Sequence, residues 1–373
     1  RQEGRFEEWR SIYPIIVFAF AQLFRSSTCD SVAGSVELRN CDSQSIYYVF
    51  IIYGLAVLIC AFKLLGVKSR RPPLLWAWLG LSLVLLLSLP GLYALERGNY
   101  IVLALFFLAS AVVLPPDWRS ALFLALAINI KQYLLVLLLV HFLKGRHAYI
   151  ALTLAFVLLI NILGLVLVQE AHYAMLIENM LGFSGGELNN HFEKIWNSTS
   201  LTAWDRAIRL SHHPLNYLSF TQLDLLKQLA TLTLFLLRFI SLSVVGLLIW
   251  RRNELSSDFI ALALMFCLMA NTDSLGGYAT ILCFPFLAAV NDSRQAKIYA
   301  FLIFLLYFPL EFPVGPGIPD IGPSFLGVID GEVFLRITIG AMLRPIFVSI
   351  LVAVLFFDLL KPSLTMKHSN HPA

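Results

Sequence analysis

The sequence predicts an all-α polytopic membrane protein of about 11–12 transmembrane or half-membrane helices, and three observations carry that expectation. Of the 373 residues, 59% are hydrophobic and only 13% are charged, with a mean hydropathy of +0.79; that leaves too little polar surface to enclose a soluble core. Apolar runs of about 12 to 24 residues recur between 12 and 360 with short polar breaks. They suit helices crossing ~30 Å of hydrocarbon, whereas barrel strands would alternate in shorter segments. Lys and Arg gather in some of those breaks and are nearly absent from others, the asymmetry that marks the cytoplasmic side. Residues 1–373 are read as a single integral membrane domain, with 169–225 as a large extracytoplasmic loop within it.

The runs, in order, are 12–24, 46–65, 74–92, 100–114, 121–143, 149–168, 229–250, 259–270, 278–290, 298–310 and 337–360. The first is short and contains Pro14, so it either crosses or dips into the interface, and its direction stays open. With Lys68, Arg70 and Arg71 cytoplasmic, "ERGN" (96–99) lies outside and "PPDWR" (115–119) inside. A straight helix over 121–143 would then place "KGRH" (144–147) outside and invert every later basic loop. The inversion disappears if "NIKQY" (129–133) is a turning point at the outer face, making 120–143 a hairpin. Its arms of about 12 residues, ~18 Å each, are tolerated where protein buries them. Both readings stand at this stage, the straight one placing Lys131 against a partner helix.

Ionisable groups at membrane depth are costly, so they mark sites with partners. Four places qualify: Glu96, Arg97 and Asn99; Lys131, Gln132 and Tyr133; "NTDSLGGY" (271–278), with Asp273 and Tyr278; and Arg344 in "LRPIF". On the hairpin reading, three meet the outer face and Arg344 reaches the same layer. A basic cluster there suits a lipid-linked phosphate, whose charge Lys and Arg stabilise while the tail stays in the bilayer. Plainer roles compete. "ERGN" is also a helix boundary, and Arg238 and Arg344 are equally suited to holding helices together. The outer stretch 184–210 mixes Gly, Asn, His, Trp and charge: Trp196 and Trp204 suit sugar stacking, and Asn189, Asn190 and His191 suit hydroxyl binding, against the plain alternative of a solvated loop. "NST" at Asn197 matches a glycosylation triplet. Cys60, Cys267 and Cys283 sit in apolar runs as core residues, whereas Cys29 and Cys41 share one polar loop and pair if it faces an oxidising compartment. No zinc spacing, basic nucleic-acid tract, Walker, dinucleotide, Ser-hydrolase or HExxH pattern is present, so no metal, no cofactor and no nucleic acid is expected.

The stretch "ERGNYIVLALFFLASAVVLPPDWRSALFLALAINIKQYLLVLLLVHFLKGR" resembles the central portion of the integral-membrane glycosyltransferases of family 87, in the GT-C superfamily. They typically carry "RGN" or "GQ" before one helix, an "IK-x-x-P"-like turn in the next and then a basic cytoplasmic loop. Here Leu134 follows Tyr133 where a proline is usual. The resemblance implies a metal-independent, inverting transfer of one sugar, a hexose such as mannose or a pentose, from a polyprenyl phosphate to a cell-envelope glycan or glycolipid. It implies a GT-C-like fold and a carboxylate base in the first outer loop. The chain begins at Arg1 without methionine, so the usual aspartate is expected upstream, with Glu7, Glu8, Asp30 and Glu96 as stand-ins. The donor phosphate falls to Arg97, Lys131 and Arg344; positioning falls to Asn99, Gln132, Tyr133, Asn190, His191, Asp273 and Tyr278.

Two other functions fit the same pattern. An O-antigen-type polysaccharide polymerase shares the many helices, large outer loop and cationic grip, but takes an oligosaccharide on pyrophosphate. A lipid-linked glycan transporter or flippase would line its pathway with the same charges, although the inverted repeat common in transporters is missing. The expected setting is a bacterial inner (cytoplasmic) membrane, multi-pass, with the site facing outward and the bilayer itself as a partner.

Overall fold

The computed structural model describes residues 43–66, 88–96, 100–167, 199–201, 219–272, 277–292, 295–308, 312–321 and 332–361. Among these, the helices are α1 (Ser43–Gly66), α2 (Leu89–Glu96), α3 (Ile101–Val113), α4 (Trp118–Ile130), α5 (Leu138–Leu143), α6 (His147–Leu167), α7 (Phe220–Trp250), α8 (Ser257–Asn271), α9 (Ala296–Tyr307) and α10 (Ile339–Leu360). Two 3-10 segments, Gln132–Leu137 and Gly277–Asp292, complete the bundle. The architecture is that of an all-α polytopic membrane protein. His147–Gly164, Phe220–Trp250 and Met342–Leu360 are each long and apolar enough to cross a bilayer.

The apolar surface agrees. On α7, Phe235, Phe239 and Leu242 are 68%, 63% and 73% exposed, while Leu237, Val244 and Leu248 are buried. Such a stripe in water would be an aggregation surface; in a bilayer it is the lipid-facing side. By contrast α8 is buried around nearly its whole circumference from Phe259 to Ala270, which makes it the central helix. It packs against α7, α10, α5 and both 3-10 segments.

One end of the bundle is a basic rim, and side chains reaching between helices fix its register. Lys63 Nζ bridges Asp258 Oδ2 at 2.7 Å and donates to the Pro285 carbonyl. Lys144 Nζ donates to the carbonyls of Arg252 and Leu255, each at 2.6 Å. Arg251 pairs with Glu254 at 2.7 Å and donates to the carbonyls of Leu359 and Lys361. These contacts draw together the ends of α1, α5, α7 and α10 and the start of α8. Two exposed tryptophans, Trp118 under the Arg119 guanidinium and Trp250 beside Arg251, add the aromatic anchors of a membrane interface. Burial and the neighbouring Arg146 lower the pKa of Lys144.

Several sequence expectations change. Residues 278–290 form a 3-10 segment carrying Pro285, a residue that cannot continue α-helical bonding. The helix expected from 229 begins at Phe220, because Ser219 and Gln222 make a reciprocal capping box. Between α9 and α10, β1 (Pro313–Ile321) pairs antiparallel with β2 (Glu332–Thr338), with an irregular register between Val314 and Ile318. The run 12–24, Cys29 and Cys41 lie outside the described residues.

Candidate functional site

The site begins with a chain reversal inside the bundle. Asp117 caps α4, accepting from the backbone N–H of Arg119 and Ser120 at 2.9 and 3.2 Å. Ser120 Oγ donates to the Ala111 carbonyl at 2.8 Å and lies 2.8 Å from the Tyr149 hydroxyl. On the other arm, the His141 ring stacks on Tyr149 with centroids 4.1 Å apart. One tyrosine therefore touches both Ser120 and His141, which a continuous helix would hold roughly 30 Å apart. The straight crossing is excluded, and residues 118–143 are a re-entrant hairpin.

Lys131 is the turning residue. Its N–H makes the last helical bond to Ala127 at 2.9 Å, its φ of −133° and ψ of 94° are extended, and its carbonyl accepts from Leu134 to open the 3-10 segment. The break is made without proline. Asn129, two residues earlier, bonds its amide to the Ala125 carbonyl, and Asn161 on α6 donates to Asn129 Oδ1 at 2.6 Å. These bonds tie the last turn of α4 to α6. At the rim, α5 ends in the paired bonds Arg146 N to His141 O and Gly145 N to Phe142 O, with Gly145 at φ +68°.

Heights above the rim follow from helix lengths at about 1.5 Å per residue. Ile101 at the start of α3 and Ile130 at the end of α4 each stand about 18 Å up, and Asn271 at the end of α8 stands about 21 Å up. Arg344 on α10 is about 22 Å above Leu359. Lys131 and Arg344 are thus near one level, both buried at 8% and 3% exposure, and α8 packs against the elements carrying each of them. Gln132 and Tyr133 follow in the first turn of the 3-10 segment, half-buried, with Tyr133 packed on the core. Glu96 is the last residue of α2 and Tyr278 the second of the other 3-10 segment, both placed by backbone. Arg97, Asn99, Asn190, His191, Asp273, Glu7 and Glu8 lie outside the described residues.

The top of α8 carries contacts that residue patterns alone did not suggest. Thr199 Oγ1 donates to the Met269 carbonyl at 3.0 Å and Ser200 Oγ to the Ala270 carbonyl at 2.8 Å, both hydroxyls coming from fully buried residues. They satisfy carbonyls that a helix end leaves without intrahelical donors. Asn271 Nδ2 donates to Ser241 Oγ on α7 at 2.7 Å. The long loop, for which a polar binding face and a solvated loop were the two readings, therefore has one segment seated in the core, and the last residue of the "NST" triplet is committed to that seat. The available signal was the run of three consecutive hydroxyl residues, Ser198, Thr199 and Ser200, between "IWN" and "LTAW".

What this arrangement can do is hold positive charge in a water-poor layer beside a helix end tied to the 199–200 segment and to α7. The family model for glycosyltransferase family 87 matches residues 39–273, which includes the hairpin and α8. No curated protein and no solved structure matches the chain.

Proposed function

The chain belongs to glycosyltransferase family 87 and is a membrane glycosyltransferase; from that premise we propose that it moves a single sugar from a polyprenyl phosphate to a cell-envelope glycan or glycolipid. The observation that carries this reading is the buried Lys131 at the turn of the re-entrant hairpin. A fixed ammonium in a low-dielectric layer stabilises a leaving phosphate far better than one in water, because it is pre-positioned and weakly screened. The positive-inside rule supports reading the basic rim as cytoplasmic and Lys131 as lying toward the outer leaflet, with a bacterial inner membrane as the proposed setting.

The chemistry assigned is one displacement of GT-C type. The acceptor hydroxyl oxygen forms a bond to the anomeric carbon as the bond from that carbon to the phosphate oxygen breaks, with inversion. The hydroxyl proton passes to a carboxylate, for which Glu96 is the candidate at the layer and Glu7 and Glu8 are the alternatives. Lys131, Arg97 and Arg344 receive the phosphate charge, and no resident metal or cofactor is assigned. Gln132, Tyr133 and Asn99 position the donor; Asp273, Tyr278, Asn190 and His191 face the acceptor.

Sugar transfer by purified protein tests this, using radiolabelled polyprenyl-phosphate mannose, glucose or arabinose and a membrane glycan extract. Transfer of one residue per acceptor supports the reading. Transfer only of pre-assembled oligosaccharide from a pyrophosphate carrier would identify a polymerase instead.

A further inference from the structure

Arg238 stands in the middle of α7, a 31-residue apolar helix, yet makes no bond to another helix among the described residues. It is exposed, beside the exposed Phe235, Phe239 and Leu242, while Leu237 and Ser241 next to it on the helix wheel are buried in the seam. The guanidinium thus sits on the flank where the protein surface meets lipid. Counted from Arg251, its height is about 20 Å above the rim, the level of Lys131 and Arg344.

A cation there needs an anion. Among the described residues Arg238 has no hydrogen-bond or ion-pair partner. On α7 itself the acidic residue is Asp224, about 21 Å further along and paired with Lys227 at 3.3 Å. On the packed neighbours α8 and α10 the acidic residues are Asp258 and Asp358, both near the rim. Among the described residues, then, no carboxylate of α7, α8 or α10 stands at this depth, and the counter-charge that a bilayer itself offers there is a lipid-borne phosphate. A second observation gives it a destination. The helices α7 and α10 run the same way, joined at the rim through Arg251 and Leu359, and α10 carries the buried Arg344 near the height of Arg238.

We propose that Arg238 is a donor-binding residue, the first cation met by the phosphate of the lipid-linked sugar as it arrives laterally from the bilayer, before that phosphate reaches Arg344 inside. This rests on the functional reading above. The planar guanidinium suits a phosphodiester, which it grips through two N–H donors while the tail remains in lipid.

The test uses the full chain in liposomes, comparing wild type, Arg238→Gln and Arg238→Lys. Two donors are needed: the full-length polyprenyl-phosphate sugar in the bilayer, and a water-soluble short-prenyl analogue that has no need of the lipid route. Arg238→Gln should raise KM for the long donor about tenfold, with kcat changed less than twofold, and Arg238→Lys should recover part of the loss. KM for the short donor should change less than twofold. An unchanged KM for the long donor, an equal rise for both donors, or a fall in kcat alone would overturn the proposal. So would a KM difference that appears only in vesicles containing anionic phospholipid, since Arg238 would then serve bulk lipid. If wild type transfers from neither donor, the functional reading falls and this proposal with it. Wild-type transfer with an indifferent Arg238→Gln removes this proposal alone.

Discussion

Asn161 on α6 donates its side-chain amide to Asn129 Oδ1 at 2.6 Å, joining a membrane-crossing helix to the last turn before the reversal at Lys131. Both residues also bond backbone carbonyls one turn earlier on their own helices, Ala125 for Asn129 and Val157 for Asn161. Removing one partner should cost more than removing both, since a single substitution strands a buried polar atom. Asn161→Leu is expected to destabilise by about 1–3 kcal/mol and Asn129→Leu by a similar amount, with the double variant recovering part of the loss. Thermal unfolding in detergent measures the coupling, and strictly additive losses would mean that the pair does not act as a unit.

The hairpin makes a topological prediction. Arg119 and Arg146 are both exposed and both at the rim, although a turning chain lies between them. Single cysteines at these two positions should react with a membrane-impermeant maleimide from the same side of the membrane. Labelling from opposite sides would restore the straight crossing.

The seat of the long loop is testable separately. Thr199→Val and Ser200→Ala each remove a hydroxyl from a carbonyl at the end of α8, and each should lower stability by about 1 kcal/mol. Limited proteolysis should then cut the 168–218 stretch faster than in wild type. Unchanged cleavage would show that these hydroxyls do not anchor it.

Lys63 and Asp258 give a control distant from the layer. The pair is partly exposed, so Lys63→Met should cost only about 1 kcal/mol and leave donor KM unaltered. A large shift in KM would mean that the rim and the layer are coupled.

How much of this was legible in the sequence depends on whether the cause was local. The reversal at Lys131 was visible because charge placement in the breaks constrains direction, and one inverted loop forced every later one. The missing proline concealed nothing essential, since the extended backbone of Lys131 ends the helix as well, with the turn before it tied to α6 through Asn129 and Asn161. The start of α7 at Phe220 was readable in principle from Ser219 and Gln222, a spacing that apolar-run counting overlooks because Gln222, Asp224 and Lys227 interrupt the run. The Asn129–Asn161 bond and the Thr199–Met269 seat were not legible: each joins residues far apart in the chain, and amides and hydroxyls carry no periodic signature. The β ribbon was hidden for a different reason, since "PVGPGIPDI" has the Pro and Gly content of a loop, and ten residues separate it from its pairing partner.

The central claim is that the hairpin turn puts Lys131 against the donor phosphate. The direct measurement is sugar transfer from polyprenyl-phosphate donors by purified wild type, Lys131→Ala and Lys131→Arg, each shown to be folded by thermal unfolding. Lys131→Ala should lose at least a hundredfold in kcat/KM, with Lys131→Arg retaining part of the activity. Lys131→Ala that is folded and turns over near the wild-type rate would contradict the account and leave the hairpin as architecture alone.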